Sequence, residues 1–211
     1  MVPTVKICYE SPAAEGYNAA LAKNRREDDT GTCLASGGER PCLMIACFDV
    51  HYDDQRANAA AILFEQWTDD RPADQLVVRC ENVGDYQAGS FYQRELAPLR
   101  AVIDQIAVPV DTFVIDAYCH LSADRAPGLG DYLYQSLPED AVVIGVAKNR
   151  FRGTDHAVEV IRGDSKRPLF VSSIRIEYQA AANRIQSMAG THREPTLLKA
   201  VDRLCRDAKF V

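Results

Sequence analysis

The sequence contains no apolar run near the roughly 18 residues needed to cross a bilayer, so a membrane-spanning helix is not expected. Its opening stretch, MVPTVKICYESP, lacks the apolar core of a secretory signal. No C-x-x-C pair occurs. The 7 cysteines, at 8, 33, 42, 47, 80, 119 and 205, are odd in number and scattered. That pattern suits neither a zinc site nor a disulfide frame, and it predicts reduced thiols in a cytoplasmic protein. Internal repeats and low-complexity blocks are also missing.

What remains is ordinary globular composition, with 47% apolar and 26% charged residues over 211 positions. A chain of this length can bury the core of one domain. The net charge of −6 argues against a non-specific nucleic-acid coat, but the average conceals a split. Residues 148–211 hold 13 Lys and Arg against 7 Asp and Glu, whereas residues 1–147 hold 11 against 23. An acidic centre beside a basic surface for phosphates is one reading of such a split, and a chance fluctuation of surface charge is the other.

Residues 1–40 read as a partly irregular extension and 41–211 as a single domain. Strands are expected at 43–52, 57–65 and 76–80, in series with short turns, which suggests an antiparallel meander. Ser90 with Gln93 fits a capping box, and Tyr92, Leu96, Leu99, Ile103 and Ile106 recur at helical spacing, so 91–106 is an amphipathic helix containing Pro98. Strands follow at 111–118, 141–148 and 168–176, with a helix at 130–137 between the first two. Two helices, 178–189 and 195–208, close the chain. The fold class is therefore α/β: a mixed sheet, an antiparallel meander followed by parallel strands, flanked by helices, as in a ribonuclease-H-like sheet.

Four ionisable residues lie at the edges of apolar elements. Asp49 interrupts MIACFDVHY, Asp116 ends TFVID, Glu95 flanks the apolar stripe of its helix, and Lys148 follows VVIGVA. Each alone has a plain explanation as a turn residue, a solvated margin or a snorkelling lysine. A buried carboxylate costs several kcal/mol unless something compensates it. Three acids with a lysine would suit an oxygen-liganded cation, Mg²⁺ or Mn²⁺, and so the hydrolysis of a phosphodiester.

At these residues the chain resembles the endonuclease V family. The matching pieces are FDVHY (48–52), YQAGSFYQREL (86–96), FVIDAY (113–118), IGVAKNRF (144–151), RPLFVSS (167–173) and REPTLLKAVDRL (193–204), in the family's order. The resemblance implies a ribonuclease-H-like fold and a metal-dependent endonuclease that cuts DNA or RNA near an inosine-type base. It implies Asp49, Glu95 and Asp116 as metal residues for Mg²⁺ or Mn²⁺, with Lys148 against the phosphate, all four catalytic. Tyr52 and Tyr86 would lie along the substrate strand, and Gly145 would let a flipped base approach the backbone. Arg150, Arg152 and Arg175 are the expected phosphate contacts. The expected partner is nucleic acid, single-stranded or distorted strands included, for a monomer with no membrane partner.

The chain also departs from the family's pattern. Ala117 and Cys119 replace glycines, and Ser122 stands at a histidine position, with His120 two residues early. Ile174 and Arg175 replace a glycine and a histidine, and the turn after Tyr86 has no proline. Two alternatives therefore stay open: a nucleic-acid-binding protein of this fold with little or no catalysis, and a metal nuclease with another substrate.

Overall fold

The computed structural model describes residues 4–8, 43–81 and 91–208. Tyr86, the Ser90 cap and most of the 1–40 extension lie outside the described residues. The strands are β1 (Thr4–Cys8), β2 (Met44–Asp53), β3 (Arg56–Phe64), β4 (Asp74–Cys80), β5 (Val110–Ile115), β6 (Val142–Ala147), β7 (Val158–Val160) and β8 (Leu169–Ile174). They form one 8-stranded sheet in the order β1-β4-β3-β2-β5-β6-β8-β7. The helices are α1 (Phe91–Ile103), α2 (Leu129–Tyr134), α3 (Tyr178–Ser187) and α4 (Thr196–Asp207).

The expected meander is β2-β3-β4, antiparallel throughout. It turns at Asp54, which takes a left-handed φ of 58° between the ion-paired Asp53 and Arg56. β2, β5 and β6 then run parallel, and β8 and β7 close the far edge antiparallel. Two strands exceed the sequence expectation. β1 pairs parallel with β4 at the opposite edge, and β7 is a three-residue edge strand. Both are short, and both owe their conformation to a distant partner rather than to a run of their own. The helix expected to reach residue 106 ends at Ile103.

Strand alternation divides the interior. Ala46, Phe48, Phe113 and Ile115 face a core closed by α1 and α2. Ile45, Cys47, Val114, Ile144 and Val146 face a second core closed by α3 and α4. Fully buried alanines at 57, 59, 60 and 61 keep β3 flat, so helices can approach it from both sides. Helix α4 docks through Leu197, Val201 and Cys205, spaced one turn apart, and Asn58 of β3 donates to the carbonyls of Cys205 and Ala208 at its end. Among the described residues no helix is long and apolar enough to cross a membrane.

Candidate functional site

In β2, β5 and β6 the same step separates a core residue from a charged one: Cys47 to Asp49, Val114 to Asp116, Val146 to Lys148. Each step is two residues, so each charged side chain leaves on the α4 side of the sheet. The three strands are parallel neighbours, so these side chains emerge together beyond their carboxyl ends. Open α/β sheets commonly place ligands there.

Asp49, Asp116 and Lys148 line one small pocket with Glu194, Leu198 and Val201, over a floor of Phe48, Ile115 and Val146. Its volume is about 20 Å³, room for a single water-sized occupant. Lys148 Nζ sits 2.8 Å from Asp116 Oδ2 and 3.4 Å from Glu194 Oε2. Asp49 Oδ1 accepts the Val50 N–H at 2.8 Å.

The electrostatics follow from burial and crowding. Burial, then the charge of Asp116, pushes the Asp49 carboxyl up to about 7. Burial, then the charge of Asp49, does the same to Glu95, also to about 7. Asp116 is raised by burial as well, against the opposing pull of Lys148. Burial would lower Lys148, but Asp116, Glu194 and Asp49 together hold it above the usual lysine range. Asp202 shares a hydrogen bond with Asp49. Burial would raise Asp202, yet Arg206 and Asp49 carry it below the usual carboxylate range.

Glu95, on α1 across the sheet, does not line this pocket, though the charge of Asp49 acts on its carboxyl. The Tyr52 hydroxyl hydrogen-bonds both to its carboxyl and to the Arg94 carbonyl, the latter at 3.1 Å. The Arg94 guanidinium lies 4.4 Å over the Tyr52 ring and donates to the Asp54 carbonyl. Tyr52, expected along the substrate strand, is thus engaged by α1 and orients Glu95.

The donor set fits one hard cation. It is all oxygen, it faces a pocket of ionic size, and it holds more negative charge than Lys148 neutralises. Among the described residues no three His, Cys, Asp or Glu side chains form a cage around a metal. The fit is therefore to an ion held by two carboxylates, with water and phosphate completing its shell, as Mg²⁺ commonly is.

The remaining expected residues are placed as follows. Arg150 is paired with Asp155 at 2.7 Å and with Glu159, and it lies over the Phe170 ring. Arg152 and Arg175 are exposed, and Arg175 takes a left-handed φ of 72°. Gly145 is closely surrounded by the chain itself. It is buried in β6, and a Cβ there would lie 2.4 Å from the Ala117 carbonyl oxygen and 2.9 Å from the Cys119 nitrogen. The close approach that its missing Cβ permits is, in this structure, that of the loop after β5. His120 does not line the carboxylate pocket. It is buried, its Nδ1 is 2.5 Å from the Tyr178 hydroxyl, and its ring stacks on Tyr178. Ser122 accepts the Ala126 N–H at 3.1 Å as a turn cap. The Cys119 thiol is buried and pushed up to about 12, so it is inert.

Two acids escaped sequence reasoning: Glu194, which lines the pocket, and Asp202, which meets Asp49. Both sit among other charged residues on an ordinary amphipathic helix or just before it. The only available signal was that Asp202 lies one turn beyond Leu198, at the margin of the buried stripe.

A family model described as Endonuclease V matches residues 32–165. Among solved structures, human ENDOV is similar with a TM-score of 0.62 at 16% identity, over 79% of this chain and 84% of that one. The endonuclease V of Streptomyces avermitilis has a TM-score of 0.59 at 24% identity, over 97% of both chains. That of Bacillus subtilis has a TM-score of 0.61 at 14% identity, over 78% of this chain and 79% of its own. At these identities the likenesses establish the fold. No curated protein sequence matches the chain.

Proposed function

We propose, for a chain that belongs to the endonuclease V family, that residues 41–211 form a catalytic domain hydrolysing a phosphodiester in DNA or RNA near a deaminated, inosine-type base. Family membership supports a nuclease acting on nucleic acid. The observation that carries the finer reading is the convergence of Asp49, Asp116 and Lys148 on one ion-sized pocket. The protein would work as a cytoplasmic monomer.

Asp49 and Asp116 would hold Mg²⁺ or Mn²⁺, with Glu95 at the edge of its shell. When bound, the ion supplies Lewis acidity and a water of lowered pKa. Lys148 turns its ammonium toward a non-bridging phosphate oxygen and stabilises the charge that develops there. Glu95, raised to about 7 and oriented by Tyr52, is suited to take the proton of the attacking water on its carboxylate. Asp202, through its hydrogen bond, fixes the Asp49 side chain. Tyr86, Arg150, Arg152 and Arg175 would follow the strand.

Binding without cleavage is the second reading, favoured by the use of Ser122 as a turn cap and of His120 as a partner of Tyr178. The test is a cleavage panel of inosine, uracil, abasic and mismatch sites in DNA and RNA, with Mg²⁺, Mn²⁺ or EDTA. Metal-dependent cutting confined to inosine strands supports the first reading. Metal-dependent cutting of every substrate points to a nuclease of other specificity. Tight binding with no cutting leaves the second reading standing.

A further inference from the structure

The segment between α3 and α4 reaches back to Lys148 with two consecutive residues. Glu194 meets the lysine at its ammonium, 3.4 Å from Nζ. Arg193 meets it at the other end, where the guanidinium donates to the Lys148 carbonyl. The same Nη2 donates to the Pro168 carbonyl at 2.8 Å. The antiparallel pairing of β6 with β8 runs only to Ala147 and Phe170, so both carbonyls lie beyond the last pair. A carbonyl past the end of a ladder needs a donor from elsewhere. One guanidinium therefore ties the ends of the two strands together.

The loop that carries Arg193 is itself held. The buried Arg162 donates to the carbonyls of Met188 at 2.7 Å and Gly190 at 3.0 Å. The Thr196 N–H donates to the Ala189 carbonyl at 2.9 Å, across a turn in which Gly190 takes a left-handed φ of 111°. Arg193 is half-buried, and its Nε is buried with no acceptor among the described residues. A buried donor left unmade costs stability, so a purely cohesive role would be poorly served by this residue. Lys148, by contrast, ends in a compact charge on a flexible four-carbon stem. Fixing the backbone at its root narrows where the ammonium can stand, and the ammonium stands 2.8 Å from Asp116.

We infer that Arg193 is a positioning residue for Lys148: it fixes the backbone from which the lysine reaches the carboxylate pocket, and so sets the ammonium where charge develops on the phosphate. The inference deepens the proposed function and rests on it for the role of that ammonium. A donor aimed in advance acts chiefly on the transition state, because nothing has to reorganise during the reaction. Misplacing such a group by about 1 Å can cost about a hundredfold in rate. Arg193 grips the backbone and not the ammonium. Its loss should therefore fall on turnover, and should vanish where there is no lysine to place.

The test is a double-mutant cycle on the full chain, read by cleavage kinetics with Mg²⁺. Arg193→Ala should lower kcat by about tenfold to a hundredfold. KM should stay within about twofold, since the lost interaction belongs to the transition state. In a Lys148→Met background the same substitution should cost less than about threefold. Should Arg193→Ala fail to fold by urea denaturation, Arg193→Gln, a neutral donor, carries the same cycle. Acylation by acetic anhydride in EDTA, read by mass spectrometry, reports the contact without cleavage. Released from its anchor, Lys148 should label at least about threefold faster in the Arg193 variant, with the exposed Lys199 of α4 as the unchanged control. A parent-like kcat, a rise in KM alone, losses that multiply in the double variant, or unchanged labelling of Lys148 would each overturn the inference. The two proposals fail separately. A parent that cuts nothing removes the nuclease reading, and labelling then decides the inference by itself; a parent that cuts, with losses that multiply, keeps the nuclease and removes the positioning role.

Discussion

Lys148 Nζ and Asp116 Oδ2 stand 2.8 Å apart, an ion pair that joins the ends of two neighbouring parallel strands. Asp49, on the next strand, meets the same ammonium only as a more distant charge, and burial with the charge of Asp116 carries its carboxyl up to about 7. Lys148 thus offsets part of what burial does to both carboxylates.

Replacing Lys148 by Met should slow cleavage by about 10²- to 10³-fold, the usual loss for one donor aimed at developing charge. Asp116 and Asp49 both lose a charge that lowers them, so the acid limb of the pH–rate profile should move up. Single-turnover rates across pH measure both effects.

Asp49 and Glu95 give the metal-free protein a defined pH dependence. Both carboxyls lie at about 7 in the fold, above their ordinary values. A raised carboxyl stabilises the fold fully below its unfolded pKa, about 4, and that contribution disappears as pH rises through the folded value. In EDTA, Tm should therefore fall between about pH 4 and pH 7 from these groups. Asp49→Asn should flatten that fall, raise Tm at pH 8, and abolish cleavage. A variant that cuts normally would remove Asp49 from the site.

Gly145→Ala tests what that glycine is for. Its Cβ would press on backbone atoms of Ala117 and Cys119, which cannot swing aside as a side chain would. Overpacking of this kind typically costs about 1–3 kcal/mol. Urea denaturation should show that loss, together with reduced cleavage of every substrate, because the displaced loop carries Asp116. A loss confined to inosine substrates, at full stability, would return Gly145 to the base pocket.

Arg152 and Arg150 should differ in solution. Arg152 is exposed and makes no ion pair among the described residues, whereas Arg150 is held by Asp155 and Glu159. If Arg152 meets phosphate, Arg152→Ala should reduce the slope of log K against log salt by about one, and Arg150→Ala by less. Titrations at several salt concentrations measure the slopes, and identical slopes would count against the contact.

Arg162 is buried at 4% exposure without a carboxylate. Its guanidinium donates to the carbonyls of Ile185, Met188 and Gly190, the turn that ends α3. Arg162→Ala strands those acceptors away from water, and a loss of about 2–4 kcal/mol by chemical denaturation is expected.

Much of the site was legible because a charged residue is conspicuous in an apolar strand. Asp49, Asp116 and Lys148 each broke such a run, and alternation put them on one side of the sheet. Glu194 and Asp202 were not legible. In REPTLLKAVDRL an acid draws no notice, and only the docking of α4 brings Asp202 against Asp49. Gly145 was visible as a place of close approach, but sequence does not say what approaches. The meander and the parallel strands were readable from local patterns. β1 and β7 were not, since each takes its conformation from a partner far along the chain.

The wall of the carboxylate pocket comprising Glu194, Leu198 and Val201 has a consequence for timing. Synthesis delivers Asp49, Glu95, Asp116 and Lys148 first, and the wall and Asp202 only some fifty residues later. Until α4 docks, that side of the pocket has no wall.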